Sequence, residues 1–170
     1  MKKICILILI IVLIIGVFLI KPESVVVTSF DECAKHNPVA TSWPAQCQHD
    51  GVTYVQEIGN ELEKIDLITT TSPRPLSKVE NPILIEGKAR GYWFFEASFP
   101  IMLLNEEGEV LIQHYIMTKD DWMTEEFVTF STSIEYPAQK EGSKGTLILM
   151  KDNPSGLPEF DDQLEIPVIF

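Results

Sequence analysis

Positive charge is scarce in this chain. Its 170 residues carry 13 lysines and arginines against 25 aspartates and glutamates, a formal net charge of −12. Lys2 and Lys3 stand before an apolar run, so the rest of the chain sets eleven basic residues against the same 25 acids, near −14. A surface of that sign repels phosphate backbones, which argues against nucleic acid as a partner. It favours solubility, and beyond that cations or a basic partner. Histidine is equally rare, with only His36, His49 and His114. None lies beside a nucleophile motif, and no Gly-x-Ser-x-Gly, phosphate loop or His-Glu-x-x-His occurs. From Ile65 onward no stretch has the period of an amphipathic helix. Cysteine is limited to Cys5, Cys33 and Cys47, too few for a disulfide-built scaffold.

What is present begins with an apolar run, Ile4–Ile20, of 17 residues. As a helix it would span about 25 Å, the short end of a bilayer crossing. It ends Val17-Phe18-Leu19-Ile20, without the small residues that a cleavage site needs. Cys5 opens the run, whereas a lipid-modified cysteine should close it. The reading is an uncleaved signal-anchor helix over residues 1–21, with cleaved export as the alternative. Lys2 and Lys3 hold the N-terminus in the cytoplasm, Lys21 snorkels to the far interface, and the remainder lies outside. This predicts a single-pass protein of the cytoplasmic membrane.

Residues 22–64 read as an extracytoplasmic spacer and a stapled segment. Val25, Val26 and Val27 suit an extended strand. Cys33 and Cys47 are the two thiols outside the apolar run, and an exported location favours their pairing. Closing a loop of about 15 residues contributes on the order of 3 kcal/mol in the chain-entropy model. Cys33, His36, Cys47 and His49 also offer two thiolates and two imidazoles, a zinc-type donor set whose spacing matches no standard finger. The stretch Cys47-Gln48-His49-Asp50-Gly51-Val52-Thr53-Tyr54 resembles the Cys-x-x-Asp-Gly-x-Thr-Tyr of Kazal-type protease inhibitors. There an Asp-Gly turn leads into a strand that carries the aromatic. The resemblance covers eight residues and implies, as a rival function, a protease inhibitor built on residues 33–54.

Residues 65–170 read as strands and turns. The expected strands are Ile65–Thr69, Ile83–Ala89, a central strand running from Phe95 to Leu103, Glu109–Met117, Phe127–Tyr136, Thr146–Lys151 and Leu164–Phe170. Pro73 and Pro75 make residues 71–79 a loop or an irregular edge. The central strand organises the rest. Read in twos, it puts Phe95, Ala97, Phe99, Ile101 and Leu103 on a core face and Glu96, Ser98 and Pro100 on the other. The aromatic run Tyr92-Trp93-Phe94-Phe95 before it either closes a core or leaves a sticky patch. Asn105–Gly108 is a hairpin loop with glycine at a positive-φ position. Val110, Ile112 and Ile116 are the inward residues of the return strand, and His114 shares their face. The class predicted is all-β, an immunoglobulin-like antiparallel β-sandwich of about seven strands.

Several motifs in order carry a family resemblance. Ile83-Leu84-Ile85-Glu86-Gly87-Lys88-Ala89-Arg90-Gly91, Phe94-Phe95-Glu96-Ala97, the leucine-rich strand and its Gly108 turn are similar to the Gmad2 domain. Ser72-Pro73, Gly145-Thr146-Leu147 and Ile166-Pro167-Val168 fit the same pattern. Gmad2 is the immunoglobulin-like domain named from bacterial spore-germination proteins, and the resemblance covers about residues 65–170. It implies a sandwich fold and a bacterial envelope location. It implies no catalytic residues. The germination domain that usually neighbours it is absent, so a germination role does not carry over.

Acidic pairs at Asp120/Asp121, Glu125/Glu126 and Asp161/Asp162 read as solvated loop charge, with calcium as the alternative. They lack EF-hand spacing. Ser155 is explained by turn chemistry. The candidate binding residues are Trp93, Trp122 and Trp43, each a core or lid residue or else part of an exposed aromatic platform. The function expected is a non-enzymatic binding or structural module without a cofactor, held at the membrane, whose partner is an envelope protein or a cell-wall component. The rivals are the inhibitor and a metal-dependent site.

Overall fold

The computed structural model describes residues 25–170, so the signal-anchor reading of residues 1–21 falls outside the described residues. Among those described, no helix is long and apolar enough to cross a membrane. The chain divides into two compact units at Val55 and Gln56.

In the first unit, Ser29 caps helix α1, Phe30–His36, by accepting from the Glu32 N–H. The Glu32 carboxylate reaches back to the Thr28 N–H and hydroxyl, at 2.6 and 2.7 Å. Those bonds hold its pKa below the usual carboxylate value. The helix is absent from the sequence reading, although Ser29-x-x-Glu32 has the spacing of a capping box. Three short strands follow, β1 Val39–Ala40, β2 Gln46–His49 and β3 Val52–Val55, in the order β1-β2-β3. Asp50 and Gly51, at φ 48° and 79°, turn β2 into β3, the backbone that a two-residue Asp-Gly hairpin favours. A disulfide joins Cys33 of α1 to Cys47 of β2 with the Cα atoms 6.0 Å apart. Both cysteines are buried. Val25–Val27 form no strand; instead the Tyr54 hydroxyl donates to the Val27 carbonyl at 2.7 Å.

The second unit holds a short helix and seven strands. These are α2 Glu61–Lys64, β4 Ile68–Ser72, β5 Ile83–Arg90, β6 Ser98–Asn105, β7 Val110–Met117, β8 Phe127–Ile134, β9 Lys144–Met150 and β10 Gln163–Ile169. They form a four-stranded sheet, β10-β9-β6-β7, and a three-stranded sheet, β4-β5-β8, with every pairing antiparallel. The core lies where the inner faces meet. Phe99 of β6 packs edge-on to Phe130 of β8 at 5.2 Å and to Phe94 at 5.0 Å. Ile101 and Leu103 continue its face, with Ile83, Ile85, Leu147, Leu149, Leu164 and Ile166, all buried. Fully burying one such side chain contributes about 1.5–3 kcal/mol.

Three readings need correction. The first strand starts at Ile68 rather than Ile65, because α2 ends in a turn in which the Leu67 N–H bonds the Lys64 carbonyl. The central strand starts at Ser98 rather than Phe95. Glu96 and Ala97 adopt φ 50° and 62°, and Phe95 and Ser98 exchange backbone bonds across them at 2.9 and 3.0 Å. That tight turn takes Phe95 and Ala97 off the core face. Val110 is 55 % exposed rather than inward. It pairs with Leu104 past a register shift, on the opposite face from Phe99 and Ile116. The second compact unit begins at Gln56. Asn60 bonds the backbone of Gln163 and Glu165, and the buried Glu61 pairs with Arg74.

Candidate functional site

Three connections meet at one end of the sandwich: residues 91–97 after β5, 118–126 after β7 and 151–162 after β9. Each is tied to a neighbour through its backbone. The Gly91 N–H bonds the Glu126 carbonyl at 3.0 Å, the Asp152 N–H bonds the Trp93 carbonyl at 3.0 Å, and the Thr118 N–H bonds the Ala97 carbonyl at 2.9 Å. Gly91 is needed for this approach. A Cβ there would lie on the carbonyl oxygens of Thr124 and Trp122. Arg90 adds two side-chain bonds, to the Asp66 and Glu125 carbonyls, and stacks its guanidinium over Phe127 at 4.1 Å.

The aromatic run divides between the two roles open to it. The single 3-10 turn Gly91–Trp93 sends Trp93 inward, fully buried, and Phe94 follows it. Tyr92 and Phe95 are left outside, 48 % and 40 % exposed. Phe95 meets Trp122 edge-on at 6.5 Å, and Trp122 packs against the core margin. Phe160, at the end of the turn Pro158–Phe160, is also exposed. Tyr92, Phe95 and Phe160 line a groove of about 340 Å³ with Asp152, Asn153 and Ser155. Lys151, Asp152 and Asn153 also line a second cleft of about 590 Å³, which extends past Asp161, Asp162 and Lys64. Lys64 and Asp162 form an ion pair of 2.6 Å there.

The groove therefore offers aromatic faces beside carboxylate, amide and hydroxyl groups. Its polar loop is well braced. The Asn153 amide donates to the Leu157 carbonyl and the Asp161 carboxylate, and its carbonyl oxygen accepts from the Ser155 N–H and hydroxyl. Burial holds the Asp152 carboxyl above the usual carboxylate range, and the negative charge of Glu96 adds to that. Stacking rings next to fixed donors and acceptors can hold a sugar or a flat side chain without chemistry on it.

The sequence candidates fare unequally. Trp93 is wholly internal, so it offers no surface and acts as a core anchor. Trp122 borders the aromatic cluster. Trp43 is half exposed in the first unit, between β1 and β2. The zinc-type set is not assembled, because Cys33 and Cys47 spend their sulfurs on the disulfide and His49 bonds Asn37 at 3.1 Å. Several members of the acidic pairs are already hydrogen-bonded within the protein. Asp120 accepts from the Thr129 hydroxyl at 2.6 Å, Asp121 from the Met123 N–H and Asp161 from Asn153. Among the described residues no group of three or more His, Cys, Asp or Glu stands close enough to hold a metal ion. His114 is exposed on β7. Phe160 is the groove residue that sequence reasoning misses, since one aromatic in a Pro/Gly-rich loop carries no periodic signal.

A family model described as Gmad2, the immunoglobulin-like domain of bacterial spore germination, matches residues 67–157. No curated protein and no solved structure matches the chain.

Proposed function

The chain belongs to the Gmad2 family of immunoglobulin-like domains, and from that premise we propose that it is a membrane-anchored protein of the bacterial envelope. Its external domain is a non-enzymatic binding module that uses the loop-end groove of Tyr92, Phe95 and Phe160. The apolar run Ile4–Ile20 is the anchor, and anchoring raises the domain's local concentration at the membrane. The partner is a cell-wall sugar or an envelope protein with basic residues.

One observation carries the reading. Of four successive aromatics, Trp93 and Phe94 close the core while Tyr92 and Phe95 stay outside, beside a polar loop braced by its own hydrogen bonds. Exposed aromatics on a preorganised frame are what recognition requires, because little ordering cost remains at binding. The acidic composition supports a neutral or basic ligand over an anionic one.

The test is capture. The full chain, purified in detergent, is mixed with sedimented cell wall and separately with fractionated envelope proteins. The expected result is saturable binding in one fraction, weakened about tenfold or more by Tyr92→Ala or Phe160→Ala, the scale of a binding hot spot. Binding that neither substitution alters would refute the groove as the site.

A further inference from the structure

A sandwich of two open sheets has four edge strands, and each is a template for unwanted pairing unless it is blunted. Two of the four are blunted and a third is covered at one end. The β10 edge is covered along its length. Asn60 bonds the Gln163 carbonyl and the Glu165 N–H. Residues 76–79 bond the Pro167 carbonyl and both polar groups of Ile169, at 2.7 to 3.0 Å. Pro167 itself has no N–H to offer. The β4 edge is five residues long, threonine-rich and broken by a register shift between Thr70 and Ser72. The β8 edge presents Thr129, Ser131 and Ser133, and residues 118–120 lie against it through Thr118 and Asp120.

The fourth edge, β7, is different. Its eight residues, Val-Leu-Ile-Gln-His-Tyr-Ile-Met, include no proline, lysine, arginine or carboxylate. Among the described residues its backbone bonds only β6. Three of its four outward side chains are apolar, and Gln113 is the fourth. Val110, Tyr115 and Met117 are 55 %, 54 % and 69 % exposed. They share the outer face of the sheet with Pro100, Met102 and Leu104 of β6, by the pairing register. An added strand would gain main-chain hydrogen bonds along about 26 Å and mostly apolar neighbours on its outer face.

The charge around this edge says what kind of strand fits. Glu106, Glu107 and Glu109 lie at one end, and Asp120 and Asp121 lie past the other, with Lys119 the one lysine or arginine between. A second copy of this chain is therefore a poor occupant. Antiparallel pairing centred between Gln113 and His114 would bring Glu106 and Glu107 of one copy against Asp120 and Asp121 of the other, and like charges placed opposite one another are destabilising. The geometry points to β7 as a receptor edge for an extended segment of another protein, apolar at alternate positions and carrying lysine or arginine at both ends. This site is separate from the loop-end groove and does not depend on it.

The probe is a synthetic decapeptide, Lys-Lys-Thr-Val-Thr-Val-Thr-Val-Lys-Lys. It is added to the full chain in nanodiscs of zwitterionic lipid, and amide hydrogen exchange is followed by mass spectrometry. Two control peptides replace the four lysines by glutamates, or the central valine by proline. The expected result is slowed exchange in residues 110–117. The glutamate and proline peptides should each bind about tenfold or more weakly, the first through charge and the second through a lost ladder bond. Tyr115→Lys and Met117→Lys, both at exposed positions, should remove the protection and leave the melting temperature unchanged. Four results overturn the proposal: no protection, protection centred on another edge, equal binding of the proline peptide, or protection of residues 110–117 that depends on protein concentration without peptide.

Discussion

Gly91→Ala tests whether the three connections form one preorganised frame. The glycine sits where the 91–93 turn crosses the loop after β7. An added Cβ would meet the carbonyl oxygens of Thr124 and Trp122, which are backbone atoms and cannot swing away. Forcing a methyl into such a contact costs about 1–3 kcal/mol. Displacing the turn also weakens the Gly91–Glu126 backbone bond, a further 0.5–1.5 kcal/mol or so. The expected loss is about 1.5–4.5 kcal/mol. At about 4 °C per kcal/mol for a domain of this size, the unit should melt about 6–18 °C lower. Gly108→Ala is the matched control. Gly108 has φ +80°, but a Cβ added there would meet nothing within 4 Å, so only the left-handed backbone penalises it, by about 1–2 kcal/mol. Differential scanning calorimetry on the full chain ranks the two. If Gly108→Ala proves the more damaging, the close crossing at Gly91 is wrong, and the groove loses the frame that would hold it fixed.

Phe99→Ala removes the ring that bridges the two sheets between Phe94 and Phe130 and should cost about 3–5 kcal/mol, read from the same thermal transition. Asp152→Asn should stabilise the domain at neutral pH. Burial and Glu96 raise the folded pKa of Asp152, so its carboxylate form is disfavoured by folding above that value and the penalty is relieved as pH falls. The gain should vanish once the pH is below the unfolded carboxyl value, and a gain that persists there would contradict the assignment. Replacing Cys33 and Cys47 together by serine should destabilise the first unit by on the order of 3 kcal/mol. Limited proteolysis should then cut within residues 30–55 while the second unit stays intact.

The strands are legible wherever alternation is clean. Ile83, Ile85 and Ala89 of β5 and Val128 and Phe130 of β8 are buried as their spacing predicts, and Leu164, Ile166 and Val168 of β10 are buried with the same alternation. The seven strands of the second unit agree with the number read from turn spacing. The failures have physical causes. Glu96 and Ala97 turn the chain with positive φ although neither is glycine or asparagine, so nothing in the residue types announces the turn, and alternation runs on through it to Phe95. Val110 follows the inward period only if register is unbroken, and the shift at Leu103/Leu104 breaks it. The site is half legible. The aromatic run is visibly too apolar for a loop, but only the 3-10 turn decides that Trp93 enters the core and Tyr92 does not. Phe160 reaches the groove through the fold, from a loop that no local pattern connects to residue 92.

Recognition of an envelope partner by the loop-end groove should leave a footprint on the backbone of its loops. The most direct test is a hydrogen-exchange footprint of the full chain, with and without a saturating amount of whichever fraction captures it. Slowed exchange is expected only in residues 91–97 and 151–160, and it should be lost in Tyr92→Ala. A footprint that leaves both segments unchanged would contradict recognition by the groove.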